Sequence, residues 1–319
     1  MNEFEIIEHY FRDLTGVDSG VVCGIGDDAA IVAIPAGREL AVSVDTMVSG
    51  VHFLADVDPC ALGYKALAVN LSDLAAMGAQ PAWATLALTM PQHDAAWLAG
   101  FTSGFAELAR RYRVSLIGGD LTNGPLSISV QVMGLIEPGL ALTRNGARVG
   151  DDVYVSGYPG EAGYGLSILT GPHGKERARA GHCLERLLKP APRVELGRML
   201  RGIAHSAIDV SDGLAADLGH ILTASATGAV IELERIPVRP PLSGMKENGS
   251  IWNFILSSGD DYELCFTVPE ARHERMQGIT NAPEFPVTRI GKIVAGSGIR
   301  FIQADGSEYR LPKSGFMHF

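Results

Sequence analysis

Apolar and polar positions alternate along this chain in two rhythms. "AAIVAI" and "ELAVSVD" are short apolar or period-two runs and predict strands. "CALGYKALAVNLSDLAAMG" is a long alanine-rich run that predicts a helix. The strand "AWATLALTM" and the helix "DAAWLAGFTSGFAELARRYR" follow, then the strands "VSLIGGD" and "LSISVQVMGLIE". The opening "MNEFEIIEHYF" reads as an acidic amphipathic helix. Near residue 140, "EPGLALTRNGARVGDD" is rich in turn formers and predicts a boundary between residues 1–140 and 141–319. Beyond it come the strand "DVYVSG", the glycine-rich turn "GYPGEAGYG", several helices, the strands "AVIELE" and "YELCFTV", and a β region from about Pro286. Strands and helices interleave throughout, so the fold class is α/β (α+β) in two layered domains.

Composition narrows the function classes. The 319 residues are 46% hydrophobic and 19% charged, enough for an ample core. A formal net charge of -10 argues against a nucleic-acid-coating surface. No run of about 18 apolar residues predicts a membrane span, and the first residues lack a signal-peptide layout. The expected compartment is the cytoplasm. Four scattered cysteines with no C-x-x-C make a disulfide framework or zinc site unexpected, and Cys23 and Cys265 read as small core residues.

Aspartates gather where apolar runs end. Asp27 and Asp28 precede a predicted strand, Asp45 and Asp120 close strands, and Asp209 and Asp212 fall between the strand and the helix of "SAIDVSDGLAADLGH". Asp260 and Asp261 precede "YELCF". Asp73 differs, because it lies mid-helix, three residues from Asn70 and on the same face. A helix start needs one capping oxygen, and Ser211 and Asp212 both offer it, which leaves Asp209 in surplus. Asp217 reads as a helix-surface acid and Asp151 as a loop acid. Clustered carboxylates repel unless cations pair them, and all-oxygen donors suit Mg²⁺ better than zinc.

Mg²⁺ characteristically bridges carboxylates to phosphates. The chain has neither the P-loop motif nor the protein-kinase motifs, no G-x-S-x-G and no H-E-x-x-H. Its phosphate chemistry therefore needs another frame. "SGYPGEAGYG" either brings backbone N–H groups to a nucleotide or forms a plain turn. Arg144 is a candidate phosphate clamp, and His52, taken alone, reads as structural.

The blocks "GIGDDAA", "SVDTMVSGVHF", "YKALAVNLSDLAAMGAQPAW", "LIGGDLTNGP", "ALTRNGARVGD", "AIDVSDGLAADLGH" and "SGDDYELCF" together resemble the thiamine-monophosphate kinase family, in the superfamily of aminoimidazole ribonucleotide synthetase. The resemblance runs collinearly along essentially the whole chain. It implies ATP-dependent phosphorylation of thiamine monophosphate to thiamine diphosphate, with ADP released. It implies an N-terminal ATP/Mg-binding and dimerisation domain (1–140) whose sheet closes a barrel across a homodimer, and a C-terminal α/β domain (141–319).

By the same resemblance, several Mg²⁺ ions are held at Asp28, Ser43, Val44, Asp45, Asp73, Asp120, Asp209 and Asp212. ATP contacts match Gly119, Asp120, Arg144 and Ser211, and thiamine-phosphate contacts match His52, Asp260 and Phe316. The family commonly has glutamate at Asp260 and threonine at Val44. The acceptor is a phosphate monoester, already nucleophilic at neutral pH, so no residue is assigned as general base. The implied partners are the two substrates and a second copy of the chain, with no nucleic acid or membrane. The alternatives are another ATP-dependent enzyme of the superfamily, such as a purine-pathway ligase, or a non-catalytic nucleotide-binding homologue.

Overall fold

The computed structural model describes residues 2–14, 20–171, 180–246, 249–281, 284–312 and 315. These divide into two compact units, Met1–Leu74 with Ala79–Gly139, and Leu140–Phe319 with Ala75–Gly78. The chain therefore changes unit between Gly139 and Leu140, and the four residues after Leu74 group with the second unit.

In the first unit, α1 (Glu3–Tyr10) begins at a capping box in which Asn2 and Glu5 satisfy each other's backbone N–H. Two short strands, β1 (Val21–Cys23) and β2 (Ile31–Val32), form their own antiparallel pair. The predicted strand "AAIVAI" thus shrinks to two residues, because proline and glycine follow directly. The main sheet holds β3 (Glu39–Val48), β4 (Gln80–Met90), β5 (Ser115–Asn123) and β6 (Ser127–Ile136) in the order β3-β6-β4-β5.

β4 and β5 run parallel, joined by α3 (Ala95–Tyr112), while the other pairs are antiparallel. α2 (Pro59–Ala76) joins β3 to β4 and is buried almost all round, as its apolar composition requires. α3 is two-faced: it buries Leu98, Phe101, Phe105, Leu108 and Tyr112 at helical spacing, and Asp94 caps its start.

The second unit is built on a seven-stranded sheet. Its strands are β7 (Asp152–Ser156), β8 (Ser206–Asp209), β9 (Gly228–Glu232), β10 (Leu264–Val268), β11 (Val287–Val294), β12 (Gly298–Ile302) and β13 (Glu308–Tyr309). Their order is β13-β12-β9-β11-β7-β10-β8, and only β12 with β9 pairs parallel. Helices α4 (Glu161–Thr170), α5 (Gly181–Leu188), α6 (Val194–Leu200), α7 (Leu214–Ser225), α8 (Ile251–Ser257) and α9 (His273–Thr280) complete it. Val153, Val155, Ile208, Leu218, Ile221, Ile255 and Cys265 form its buried core. The inner strands β7 and β10 and the edge strand β8 are buried at every position, each around a short run of consecutive apolar residues. β8 ends on Asp209 at the sheet edge, which delivers that carboxylate to the rim.

Candidate functional site

β3 and α2 build the first group of donors. Ser43 Oγ donates to Asp73 Oδ2 at 2.6 Å, and the Asp45 backbone N–H donates to Asn70 Oδ1 at 2.9 Å. Ser43 and Asp45 are two apart on a strand and share a face; Asn70 and Asp73 share a helix face turned toward it. Asp45 is exposed and Asp73 half-buried, so oxygens here remain within reach of solvent and ions.

Asp120 belongs to the neighbouring row, Thr46–Ser129–Ala87–Asp120, which crosses all four strands. Adjacent rows face opposite sides of a sheet. The open side therefore carries Asp120, with Thr122 Oγ1 donating to its Oδ2 at 2.9 Å. On that side the edge strand β3 exposes Leu40 (38%), Val42 (52%) and Val44 (59%).

Gly119 is fixed by packing, since a Cβ there would sit 1.9 Å from the Leu86 carbonyl oxygen. Asp28 is exposed in the turn after β1, its N–H bonded to Asp27 Oδ1 at 2.9 Å. Cys23 is half-buried rather than in the core, with Sγ 3.6 Å from Asp27, because β1 lies outside the main sheet. His52 Nδ1 accepts the Val48 N–H at 3.0 Å, which places its ring over the turn after β3. The first unit also has a cavity of about 800 Å³, lined by Trp83, Arg110 and Arg113 among others. None of the predicted site residues lines it, so the donor geometry, not cavity size, locates the chemistry.

In the second unit, Asp209, Ser211 and Asp212 follow one another from the end of β8, and the segment 257–260 lies against them. Gly259, at φ +69°, allows the approach, since a Cβ would fall 2.1 Å from the Ser211 carbonyl oxygen. The Asp260 N–H donates to that carbonyl at 2.8 Å. Asp260 and Tyr262 hold φ of 66° and 51°, left-handed values that cost non-glycine residues about 1–3 kcal/mol each. Neighbouring carboxylates hold them there. Asp261 is fully enclosed and accepts the N–H groups of Gly160 at 2.7 Å and Ala162 at 3.2 Å. Glu263 pairs through both oxygens with Arg193 and accepts from Ser156 Oγ at 2.5 Å. Burial raises the Asp261 carboxyl well above the usual carboxylate range, against the pull of its two N–H donors. Two N–H groups of the glycine-rich turn are thus committed to Asp261, which makes this part of the turn structural.

Several expectations are corrected here. Asp217 is buried, not a surface acid, and its Oδ2 accepts the N–H groups of Ser211, Asp212 and Gly213 at 3.0 to 3.1 Å. Burial pushes its carboxyl up to about 7, opposed by those donors. Neither Ser211 nor Asp212 caps α7, whose N-cap is Gly213. Asp151 is also buried, accepting from the Arg148 N–H at 2.9 Å and lying 2.8 Å from His205 Nδ1.

Arg144 is exposed in a loop organised by Ser225 of α7, whose Oγ accepts from the N–H groups of Gly146 and Ala147, both at 3.1 Å. His220, one turn beyond Asp217, lies with Asp212 and Asp217 in a group whose ligand atoms are within 4.8 Å; its i, i+3 spacing from Asp217 was the available signal. Glu161, His182 and Cys183 also meet within 4.8 Å, but Arg239 holds Glu161 through both oxygens, and burial pushes the Cys183 thiol to about 12. Phe316 lies outside the described residues. The four cysteines are free.

Every metal-ligand position predicted from the sequence is a carboxylate, hydroxyl or carbonyl oxygen, and most are half-buried or exposed. That hard, solvent-reachable donor set fits Mg²⁺, which keeps part of its water shell.

Residues 26–136 match the family described as AIR synthase related protein, N-terminal domain, and residues 148–303 match its C-terminal domain. Thiamine-monophosphate kinase of Escherichia coli K12 is 47% identical, over 99% of this chain and 98% of its own. A crystal structure of thiamine-monophosphate kinase from Stenotrophomonas maltophilia K279a superposes with TM-score 0.87 at 41% identity, over 97% of this chain and 98% of its own. AaThiL complexed with AMPPCP and TMP superposes with TM-score 0.79 at 30% identity, over 90% of this chain and 89% of its own.

Proposed function

The chain belongs to the thiamine-monophosphate kinase family, and we propose that it works by direct, Mg²⁺-assisted in-line transfer of the ATP γ-phosphoryl group to thiamine monophosphate. The products are thiamine diphosphate and ADP. The observation that carries this reading is the 47% identity, over nearly the full length of both chains, to a kinase of this name, joined to oxygen donors such as the Ser43–Asp73 pair and Asp209 at the end of β8.

Several Mg²⁺ ions are assigned to these oxygens: in the first unit Asp28, Ser43, the Val44 carbonyl, Asp45, Asp73 and Asp120, and in the second unit Asp209 and Asp212. Bound Mg²⁺ supplies charge neutralisation for the phosphate groups. Gly119, Asp120, Arg144 and Ser211 are assigned to ATP, and His52, Asp260 and Phe316 to thiamine monophosphate. Fixed dipoles and charges do the rest. The Ser43–Asp73 hydrogen bond orients one oxygen pair, and the exposed Arg144 guanidinium can follow a phosphate. The acceptor's second pKa, about 6, leaves its oxygen ionised at neutral pH, so positioning and electrostatics suffice without a general base.

The same reading includes a homodimer and a cytoplasmic location. An edge strand with three exposed apolar side chains on one face, Leu40, Val42 and Val44, supports pairing with a second copy. ATP as co-substrate suits the cytoplasm. Among the described residues, no helix is long and apolar enough to cross a membrane.

ADP release from ATP, measured with thiamine monophosphate, free thiamine and formylglycinamidine ribonucleotide in parallel, tests the assignment. Turnover is expected with thiamine monophosphate alone and only with divalent metal. Turnover with the ribonucleotide instead would place the chain in the purine branch, and silence with every acceptor would leave a nucleotide-binding protein.

A further inference from the structure

The helix that follows Asp209 is started in an unusual way. An N-cap normally uses its own side-chain oxygen to take up one free N–H of the first turn. Here the N-cap is Gly213, and the nearby Ser211 and Asp212 make no such bond. Asp217, inside the first turn, instead reaches back to the loop before the helix: its single Oδ2 accepts three successive N–H groups, from Ser211 at 3.1 Å, Asp212 at 3.0 Å and the N-cap Gly213 at 3.1 Å. Three donors converging on one oxygen bend residues 211–213 around a fixed point. The opposite side of the loop is held as well, by the Asp260 N–H on the Ser211 carbonyl at 2.8 Å.

A cap from Asp212 would be simpler, but it would commit the carboxylate that the proposed site requires. With the loop held by a buried acid and no cap drawn from either residue, the Asp212 and Ser211 side chains stay half-exposed on a backbone pinned from both sides. We propose that Asp217 is a positioning residue, whose carboxylate fixes the 211–213 backbone so that Asp212 is preorganised as a ligand for a divalent cation, with Ser211 held beside it. This rests on the reading of Asp212 as a ligand given above.

The test uses the full-length protein with Mn²⁺ alone as probe, bound Mn²⁺ being counted by electron paramagnetic resonance, alongside the Mg²⁺ dependence of turnover. Asp217→Ala is expected to weaken Mn²⁺ binding, and to raise the Mg²⁺ needed for half-maximal rate, by about 10-fold or more, as loss of an outer-shell partner does. Asp217→Asn, which keeps an acceptor oxygen in place, should recover most of that loss. Asp217→Glu, which moves the oxygen by one methylene, should not. A purely structural Asp217 would lower the folded yield while leaving Mn²⁺ affinity and Mg²⁺ half-saturation of the folded fraction unchanged, and that result overturns the proposal. Asp212→Asn separates the two readings: unchanged Mn²⁺ binding there removes Asp212 as a ligand, and the positioning role with it. Weakened binding in Asp212→Asn beside normal binding in all Asp217 variants overturns the positioning role alone.

Discussion

Asp209→Asn is expected to lower kcat/KM by at least about 10²–10³-fold while the protein stays folded. Asp209 ends an edge strand and is 5% exposed, so its negative charge is held where solvent screens it little. The substitution keeps size and shape and removes only the charge. If the carboxylate served the fold, losing it would destabilise the second unit. If it serves to neutralise a cation, the fold survives the substitution while the rate collapses. Circular dichroism melting beside steady-state kinetics distinguishes these cases. Asp120→Asn, from an exposed position, is expected to lose rate in the same way with even less effect on melting. A near-wild-type rate in either variant removes that residue from the metal site.

Glu263→Ala should have the largest effect on stability, about 3–5 kcal/mol. Its carboxylate is buried, pairs with the buried Arg193 through both oxygens, and accepts from Ser156, whose Oγ in turn accepts the Leu264 N–H at 2.9 Å. Truncation leaves a guanidinium and a hydroxyl without their partner inside a tightly packed sheet. Because β7 and β10 share this network, their amide hydrogens should exchange about 10² times faster or more. Glu263→Gln, which keeps the acceptor but loses the charge, should fall between. Unchanged exchange in Glu263→Ala would mean that the pair adds nothing to the fold.

These two residues mark what the sequence makes legible. Long periodic elements such as α2, α3 and the strands β3 to β6 are visible in the spacing of apolar residues, and so is Asp209 at the end of β8; Asp45 and Asp120, expected to close strands, lie inside β3 and β5, because hydrogen-bond pairing carries each strand three residues further. A strand delivers its last side chain to the rim of a sheet, which is a one-dimensional fact. The pairing of Asn70 and Asp73 with β3 is half legible, because helical spacing puts them on one face without saying what that face meets.

Asp217, Asp151, Asp261 and Glu263 were not legible as buried groups. Their hydrogen-bond partners are backbone N–H groups or side chains from other loops, up to 107 residues away for Ser156 and Glu263. Polar residues next to glycines read as solvated turns until the tertiary fold encloses them. The same limit hid the two faces of the first sheet: only register shows that Asp120 and Asp45 stand on opposite sides.

A single-turnover experiment with [γ-³²P]ATP, Mg²⁺ and thiamine monophosphate tests the direct transfer itself. The prediction is that label passes to thiamine diphosphate one-for-one with ADP and at no time stays on acid-precipitated protein. Label on the protein, or its release as inorganic phosphate in place of thiamine diphosphate, would contradict it.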